Sequence, residues 1–303
     1  MAGGGADWDL FQSLHAVLQA GSLSGAARAR GLTQPTLGRH IEALEQQLGA
    51  PLFLRSPRGL QPTELALSLR SHLEEMAAAA GAAMRDASGA GDAQTGCIRL
   101  TASNIVGAEI LPPILVEFRR KHPQIDIELV LSNHNEDLSR RDADIAVRMS
   151  RPTQQSLVAR RLGALGLGFY AAPAYVERHG APVCAETLRD HTVIGFDTFP
   201  ANLRNLIPAE LAVDRGSFAF RSDSDAAQIA AMKSGLGVGA CLHIIGRRSG
   251  LVRVMPQMQV FELEMWLVMH EMQRTNARMR LMYDHLAEAL AAVVAENEAA
   301  QVA

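Results

Sequence analysis

Residues 21–60 read GSLSGAARARGLTQPTLGRHIEALEQQLGAPLFLRSPRGL, and their turn and cap residues are local enough to be read in isolation. Gly21 stops one helix, and Ser24 is placed to cap a short second helix in which Ala26, Ala27 and Ala29 permit close packing. Gly31 and Leu32 make a turn, after which Thr33 is placed to cap a third helix. Pro35 falls in its first turn, where a missing N–H costs nothing, and Leu37, Ile41, Leu44 and Leu48 form its inward stripe. Upstream, residues 9–20 put Leu10, Phe11, Leu14, Val17 and Leu18 on one helical face. Helix, short helix, tight turn and longer helix is the helix-turn-helix plan. After Gly49, residues 51–54 and 59–61 flank Arg55-Ser56-Pro57-Arg58, which predicts a two-stranded wing with a basic tip.

Thr63 and Glu64 open a predicted helix running to about Ser88, with Leu65, Leu69, Leu73, Met76, Ala80 and Ala83 in a coiled-coil-like seam. Such a helix spans ~39 Å at 1.5 Å per residue, too long for a 60-residue neighbour to cover, so a partner chain is expected on the stripe. A hinge is expected at 89–95. From residue 96 the pattern changes to strands alternating with helices. Strands are expected at 97–102, 125–131, 143–148, 157–162, 165–171, 192–196, 217–221, 237–242 and 265–269. The clearest helices are 110–122, 173–179, 224–234 and 276–296, so this part reads as α/β.

The chain has 303 residues, room for two domains, with 48% hydrophobic and 20% charged residues, values that exclude disordered and fibrous classes. No apolar run approaches the ~20 residues of a membrane-spanning helix, and MAGGGADWDL lacks the basic-then-apolar pattern of an export signal. Cys97, Cys184 and Cys241 are few, odd in number and scattered, as expected of packing thiols in a reducing, cytoplasmic setting. The net charge is −3, yet residues 22–58 carry five arginines against Glu42 and Glu45, a local +3. A basic segment that falls on a helix-turn-helix is expected to meet nucleic acid there.

Gly21 to Ala27, Leu32 to Ile41, Leu44-Glu45, Leu48-Gly49, Leu52-Phe53 and Arg55 together resemble the winged helix-turn-helix of LysR-type transcriptional regulators. Further along, Leu111-Pro112, Phe118, His122-Pro123, residues 142–148, Gly235-Leu236-Gly237 and Trp266-Leu267-Val268 match that family's effector domain more loosely. The resemblance implies an α/β effector domain of two periplasmic-binding-protein-like subdomains, preceded by a mostly α winged helix-turn-helix domain and a long linker helix. It assigns residues 1–62 to the winged domain, 63–88 to the linker and 96–303 to the effector domain, with subdomain I at 96–162 and 268–303 and subdomain II at 163–267. It implies a double-stranded DNA operator, a small-molecule effector, a dimer of dimers and a contact with RNA polymerase, with no cofactor and no metal. Leu65, Leu69, Leu73 and Met76 become the dimerisation residues.

Carried onto this chain, the resemblance puts Gln34, Pro35, Thr36 and Arg39 on the recognition helix and Arg55 and Arg58 on the wing, with Ser24 and Thr33 beside them. Chemistry supports these roles, since glutamine pairs with adenine, arginine with guanine, and a proline ring touches a thymine methyl. Wing arginines position through phosphates or the minor groove. Solvated surface arginines are the competing reading for Arg28 and Arg30. Two departures stand out: Gly38 occupies a position that commonly carries a small hydroxyl residue, and Leu242 one where proline is common.

Ligands of open α/β folds sit at the carboxyl ends of strands, where helix N-termini present free amides. Ser103, Asn104, Ser132, His134, Asn135, Arg148, Phe196, Ser222 and Ser224 occupy such ends, so they are the candidate effector residues, and a small anionic, carboxylate-bearing metabolite is expected. Asp223 is expected to cap its own helix. Gly235-Leu236-Gly237-Val238-Gly239 follows a helix and enters a strand, the reverse of a dinucleotide loop, and the histidines show no metal-ligand spacing. The alternative to a regulator, a solute-binding protein or enzyme with incidental amino-terminal helices, would need an export signal or a reactive constellation. Neither is found.

Overall fold

The computed structural model describes residues 7–56, 59–88, 95–133, 143–152, 157–198, 211, 215–258 and 260–302. They form two compact units that meet in sequence at Met84 and Arg85. The first unit holds α1 (Trp8–Ala20), α2 (Leu23–Arg30), α3 (Gln34–Leu48), β1 (Phe53–Ser56), β2 (Gly59–Pro62) and most of α4 (Glu64–Ser88). Gly21 ends α1 in the left-handed conformation, and the first extended residue after it is Ser22. Ser22, not Ser24, therefore caps α2, its hydroxyl accepting from the Gly25 amide at 3.2 Å, while Ser24 is exposed at the second helical position. Thr33 caps α3 as expected.

Leu14, Leu37, Leu44 and Leu52 are completely buried in a core that also takes Val17, Ala26, Ala27 and Ile41. The α3 stripe stops at Leu44, and Leu48 is 39% exposed in the last turn. Two polar links hold the helices in register. The Ser13 hydroxyl lies 2.8 Å from His40 Nδ1, tying α1 to α3, and Glu45 Oε1 accepts from the Leu52 amide at 2.7 Å, tying α3 to β1.

The seam of α4 does not behave as one stripe. Leu73 is 2% exposed, and Leu65 and Leu69 pack against the same core, so the amino-terminal half of the seam is covered within its own chain. The physical reason is that these leucines join the apolar cluster already formed by Leu14, Leu37, Leu44 and Leu52. Met76 remains 38% and Met84 73% exposed.

The second unit is an α/β body. It contains β3 (Gly96–Ala102), a single π-helical turn at Val106–Ile110, α5 (Leu111–Lys121), β4 (Ile125–Leu131), β5 (Ile145–Arg148) and β6 (Leu157–Ala171). Next come α6 (Pro173–His179), α7 (Ala185–Leu188), β7 (Ile194–Gly195), β8 (Phe220–Arg221), α8 (Asp225–Lys233), β9 (Gly239–Leu242) and α9 (His243–Arg248). It ends with β10 (Val252–Val254), β11 (Glu262–His270) and α10 (Ala277–Val302). The main sheet runs β10-β6-β11-β5-β3-β4, with β9 also on β6; β3 is parallel to β4 and β5, and β11 is antiparallel to β5 and β6.

The strands expected at 157–162 and 165–171 are one continuous β6, which runs through the expected subdomain boundary. The bend between its halves is taken up at Gly163 (φ 153°), opposite a register shift between Met265 and Trp266. A Cβ on Gly163 would stand 2.5 Å from Val294 Cγ1 of α10, so only glycine lets the helix lie this close. Of the strand expected at 217–221 only Phe220–Arg221 forms β8, and Ser217 closes a short 3-10 turn; α7, α9 and β10 had no periodic signal because each is only three to six residues long. Gly235 (φ 75°) ends the turn after α8, as its reading as a helix stop requires.

His243 is fully buried at the start of α9, with Nδ1 2.9 Å from the Tyr170 hydroxyl. Desolvation, reinforced by Arg253, pushes its pKa down from 6.5 to about 4. The fold keeps the ring neutral while the unfolded chain binds a proton below about 6.5, so this stability is complete above that pH and is lost as pH falls toward 4. In a His243→Gln protein the fall of the unfolding midpoint between pH 6.5 and 4 is expected to be shallower than in the wild type. Parallel curves would refute it.

Candidate functional site

In the first unit, α3 turns Leu37, Ile41 and Leu44 into the core and leaves Gln34, Pro35 and Arg39 exposed. The Thr33 hydroxyl accepts from the Thr36 amide at 3.3 Å and lies 2.8 Å from the Thr36 hydroxyl, so the cap itself occupies both threonine side chains. Arg39 has no polar partner among the described residues, whereas Arg30 is paired with Asp9 at 2.6 Å between α2 and α1. That separates the two arginines: one fastens the helices and one extends into solvent. A Cβ at Gly38 would meet nothing within 4 Å, so the helix there presents bare backbone beside Arg39. Arg55 is placed in β1 by its pairing with Leu60, and Arg58 lies outside the described residues.

The second unit encloses a cavity of 240 Å³. Ser103, Ser132 and Arg148 all line it, from the carboxyl ends of the parallel strands β3, β4 and β5. Arg148 is 2% exposed and is held by Ser132 O at 3.1 Å and Thr101 Oγ1 at 2.9 Å. Ser103 is 8% exposed, and its hydroxyl has no hydrogen-bond partner among the described residues. A buried hydroxyl left unpaired is costly, and at a cavity wall it is ready to bond a ligand. Asp144, in the same 142–148 run, has a structural task instead: its carboxylate accepts from the Arg99 amide at 2.8 Å and pairs with Arg85 at 3.2 Å.

Phe196 lines the cavity, as expected. Ser222 and Ser224 do not, because their hydroxyls are used in building the entry to α8: Ser222 Oγ accepts from the Ser224 amide and Ser224 Oγ from the Ala227 amide. Asp223 does not cap α8 either; it accepts from the Asp197 and Thr198 amides at 2.9 and 2.8 Å and anchors the loop after β7. Asn104 stands outside the cavity wall, its amide donating to Asn133 Oδ1 at 2.9 Å. His134 and Asn135 lie outside the described residues.

Asp225, Gln228 and Phe218 line the wall without having been expected, and Asn133 does so from the strand end 132–135. Asp225 and Gln228 lie three apart in the first turn of α8, a spacing that shares one helix face and was the available signal. Burial raises the pKa of the Asp225 carboxyl from 3.8, and the neighbouring Asn133 side chain partly offsets this. Most of the remaining wall is apolar, with Leu167, Phe169, Leu211, Ile229 and Phe261 among its members. Cys241 is also there, but burial pushes its thiol up to about 12, so it stays protonated and packs. Cys97 and Cys184 are only half-buried.

Among the described residues no helix is long and apolar enough to cross a membrane, and no cluster of three histidine, cysteine or carboxylate side chains is set to hold a metal ion. Residues 8–67 match the model of bacterial regulatory helix-turn-helix proteins of the lysR family, and residues 91–291 match the LysR substrate binding domain. The chain is 26% identical over 288 residues to the probable HTH-type transcriptional regulator LtrA of Klebsiella pneumoniae, covering 91% of this chain and 93% of that one. It is 29% identical to the regulator CrgA of Neisseria meningitidis serogroup C, over 62% of each chain. In fold it is similar to full-length AphB, a Vibrio cholerae virulence activator, with a TM-score of 0.62, 22% identity, and 93% and 99% of the two chains covered. It is also similar to full-length CbnR in complex with its target DNA, with a TM-score of 0.65, 14% identity and the same coverage.

Proposed function

Because this chain belongs to the LysR family of bacterial transcriptional regulators, we propose that it reads a double-stranded operator with α3 and the wing, and that a small molecule in the 240 Å³ cavity modulates this. Its relatives are transcriptional regulators, and we read this chain likewise as a cytoplasmic regulator without catalytic activity or cofactor. Gln34 and Arg39 specify bases, Pro35 contributes an apolar contact, and Arg55 and Arg58 bind the backbone. Ser24 stands near this surface; Thr33 and Thr36 act by shaping the start of α3. The domain limits at 62, 88 and 96 follow from the same reading.

A dimer is assigned to the distal half of α4, where Met76, Ala80 and Met84 carry on the seam that the winged domain leaves uncovered. Pairing of two such dimers and contact with RNA polymerase belong to this reading too. Ligand binding would change the angle between the subdomains and so the spacing of recognition helices.

The observation that carries the effector reading is the unpartnered Ser103 hydroxyl, buried in the wall of a cavity whose polar end lies at three strand termini. Sequencing DNA fragments captured by the purified protein, with and without candidate organic acids and amino acids, tests both halves. One DNA motif is expected to be enriched, and at least one compound should change its occupancy. Ser103→Ala should weaken that compound about 5- to 10-fold, the size of one hydrogen bond, without altering the motif. Capture of random sequence would sink the operator reading, and an unchanged ligand affinity would sink the cavity.

A further inference from the structure

The cavity holds charges of both signs, Arg148 from β5 and Asp225 from α8, around one buried hydroxyl. Resting on the reading of this cavity as the effector site, we propose that the ligand is a zwitterion: an α-amino acid with an apolar side chain. Its carboxylate faces Ser103 and Arg148, and its ammonium group faces Asp225.

Three observations converge on this. First, the polar residues share one cavity wall. Asn133 Oδ1 accepts from the amide of Asn104, the residue after Ser103, at 2.9 Å, and Asn133 lines the same cavity as Arg148 and Asp225. The cation and the carboxyl therefore face one ligand space from two sides of the sheet–helix layer. Second, a simple carboxylate would lie beside the carboxyl of Asp225 in a partly desolvated space, where like charges repel more than in water. An ammonium group turns that repulsion into attraction, and supplies a partner for a carboxyl that burial otherwise disfavours in its charged form. Third, most of the remaining wall is apolar, with Phe196, Leu211, Phe218, Ile229, Val260 and Phe261 among it, which suits an apolar side chain on the ligand. At 240 Å³ the cavity lies below the ~300–1,000 Å³ of pockets for drug-sized ligands, which suits one amino acid and excludes a peptide or a lipid. This replaces the expectation of a plain organic anion, because Asp225 shares the wall.

Calorimetry on the full-length chain separates the possibilities. The probes are L-leucine, L-methionine and L-phenylalanine, the deaminated acids 4-methylpentanoate and 3-phenylpropanoate, and the decarboxylated amines 3-methylbutylamine and 2-phenylethylamine. At least one amino acid should bind, at least 10-fold more tightly than either of its truncated analogues. Asp225→Asn, nearly isosteric, should erase the preference for the amino acid over the deaminated acid, while Ser103→Ala should weaken both. If Asp225→Asn fails to fold, the wild-type ratios decide alone. A deaminated acid that binds as well as its parent, a ratio unmoved by Asp225→Asn, or no binding by any of the amino acids would overturn the proposal. A simple acid that binds with Ser103 dependence and shifts DNA occupancy would leave the effector reading standing and remove only the zwitterion.

Discussion

Leu73→Asp is expected to unfold the amino-terminal unit rather than merely separate subunits. Leu73 is 2% exposed and belongs to the same cluster as Leu14, Leu37 and Leu44, so the new carboxylate would be taken out of water into an apolar cluster. An uncompensated buried charge costs about 3–5 kcal/mol, a large share of the roughly 5–15 kcal/mol that holds a typical domain together. Thermal melts followed by circular dichroism should show early loss of helix, with DNA binding gone. Met76→Asp is the companion measurement: on an exposed site it should leave the melt within about 1 kcal/mol of wild type while lowering the mass seen by light scattering. If Leu73→Asp melts like the wild type and changes only the mass, the burial of this seam within its own unit is wrong.

The paired substitution of Gln34 and Arg39 by alanine should abolish sequence-specific binding while leaving the protein folded. Both side chains are exposed, so their removal takes nothing from the core. Each bidentate base contact contributes about 1–3 kcal/mol of discrimination, so losing two lowers affinity for the captured motif by about 30-fold or more. Binding to unrelated DNA should fall far less, because phosphate contacts elsewhere supply that term. Fluorescence anisotropy with motif and scrambled duplexes at two salt concentrations reads both. A double variant that still prefers its motif would exclude α3 as the recognition helix.

Much of the amino-terminal unit was legible residue by residue. Gly21, Gly31 and Gly49 each end a helix with φ between 64° and 70°, and the cap at Thr33 depends only on its immediate neighbours. Even the error there was local: Ser22 and Ser24 are chemically equal as caps, and the choice rests on which residue first becomes extended after Gly21. The effector unit was legible as alternating strands and helices, but β6 was split at Gly163 because a glycine in a strand signals either a turn or a bend. Only the approach of Val294 from a helix some 130 residues away decides for a bend.

The sequence by itself determined the element order, the helix-turn-helix, the family, and the three strand ends that bring Ser103, Ser132 and Arg148 together, since each depends on periodicity, turn chemistry or a contiguous motif. Tertiary structure decided what those elements are used for. Leu73 and Met76 share one heptad seam, yet one is core and the other is exposed, because burial depends on which distant face arrives to cover it. Ser222 and Ser224 look like ligand groups at a helix start but are engaged by neighbouring amides, while Asp225, one residue further on, lines the cavity, as Asn133 does from another strand end. Hydrogen-bond partners and burial are properties of positions brought together across the chain, and a linear pattern specifies which side chains are available without specifying which of them remain free to bind.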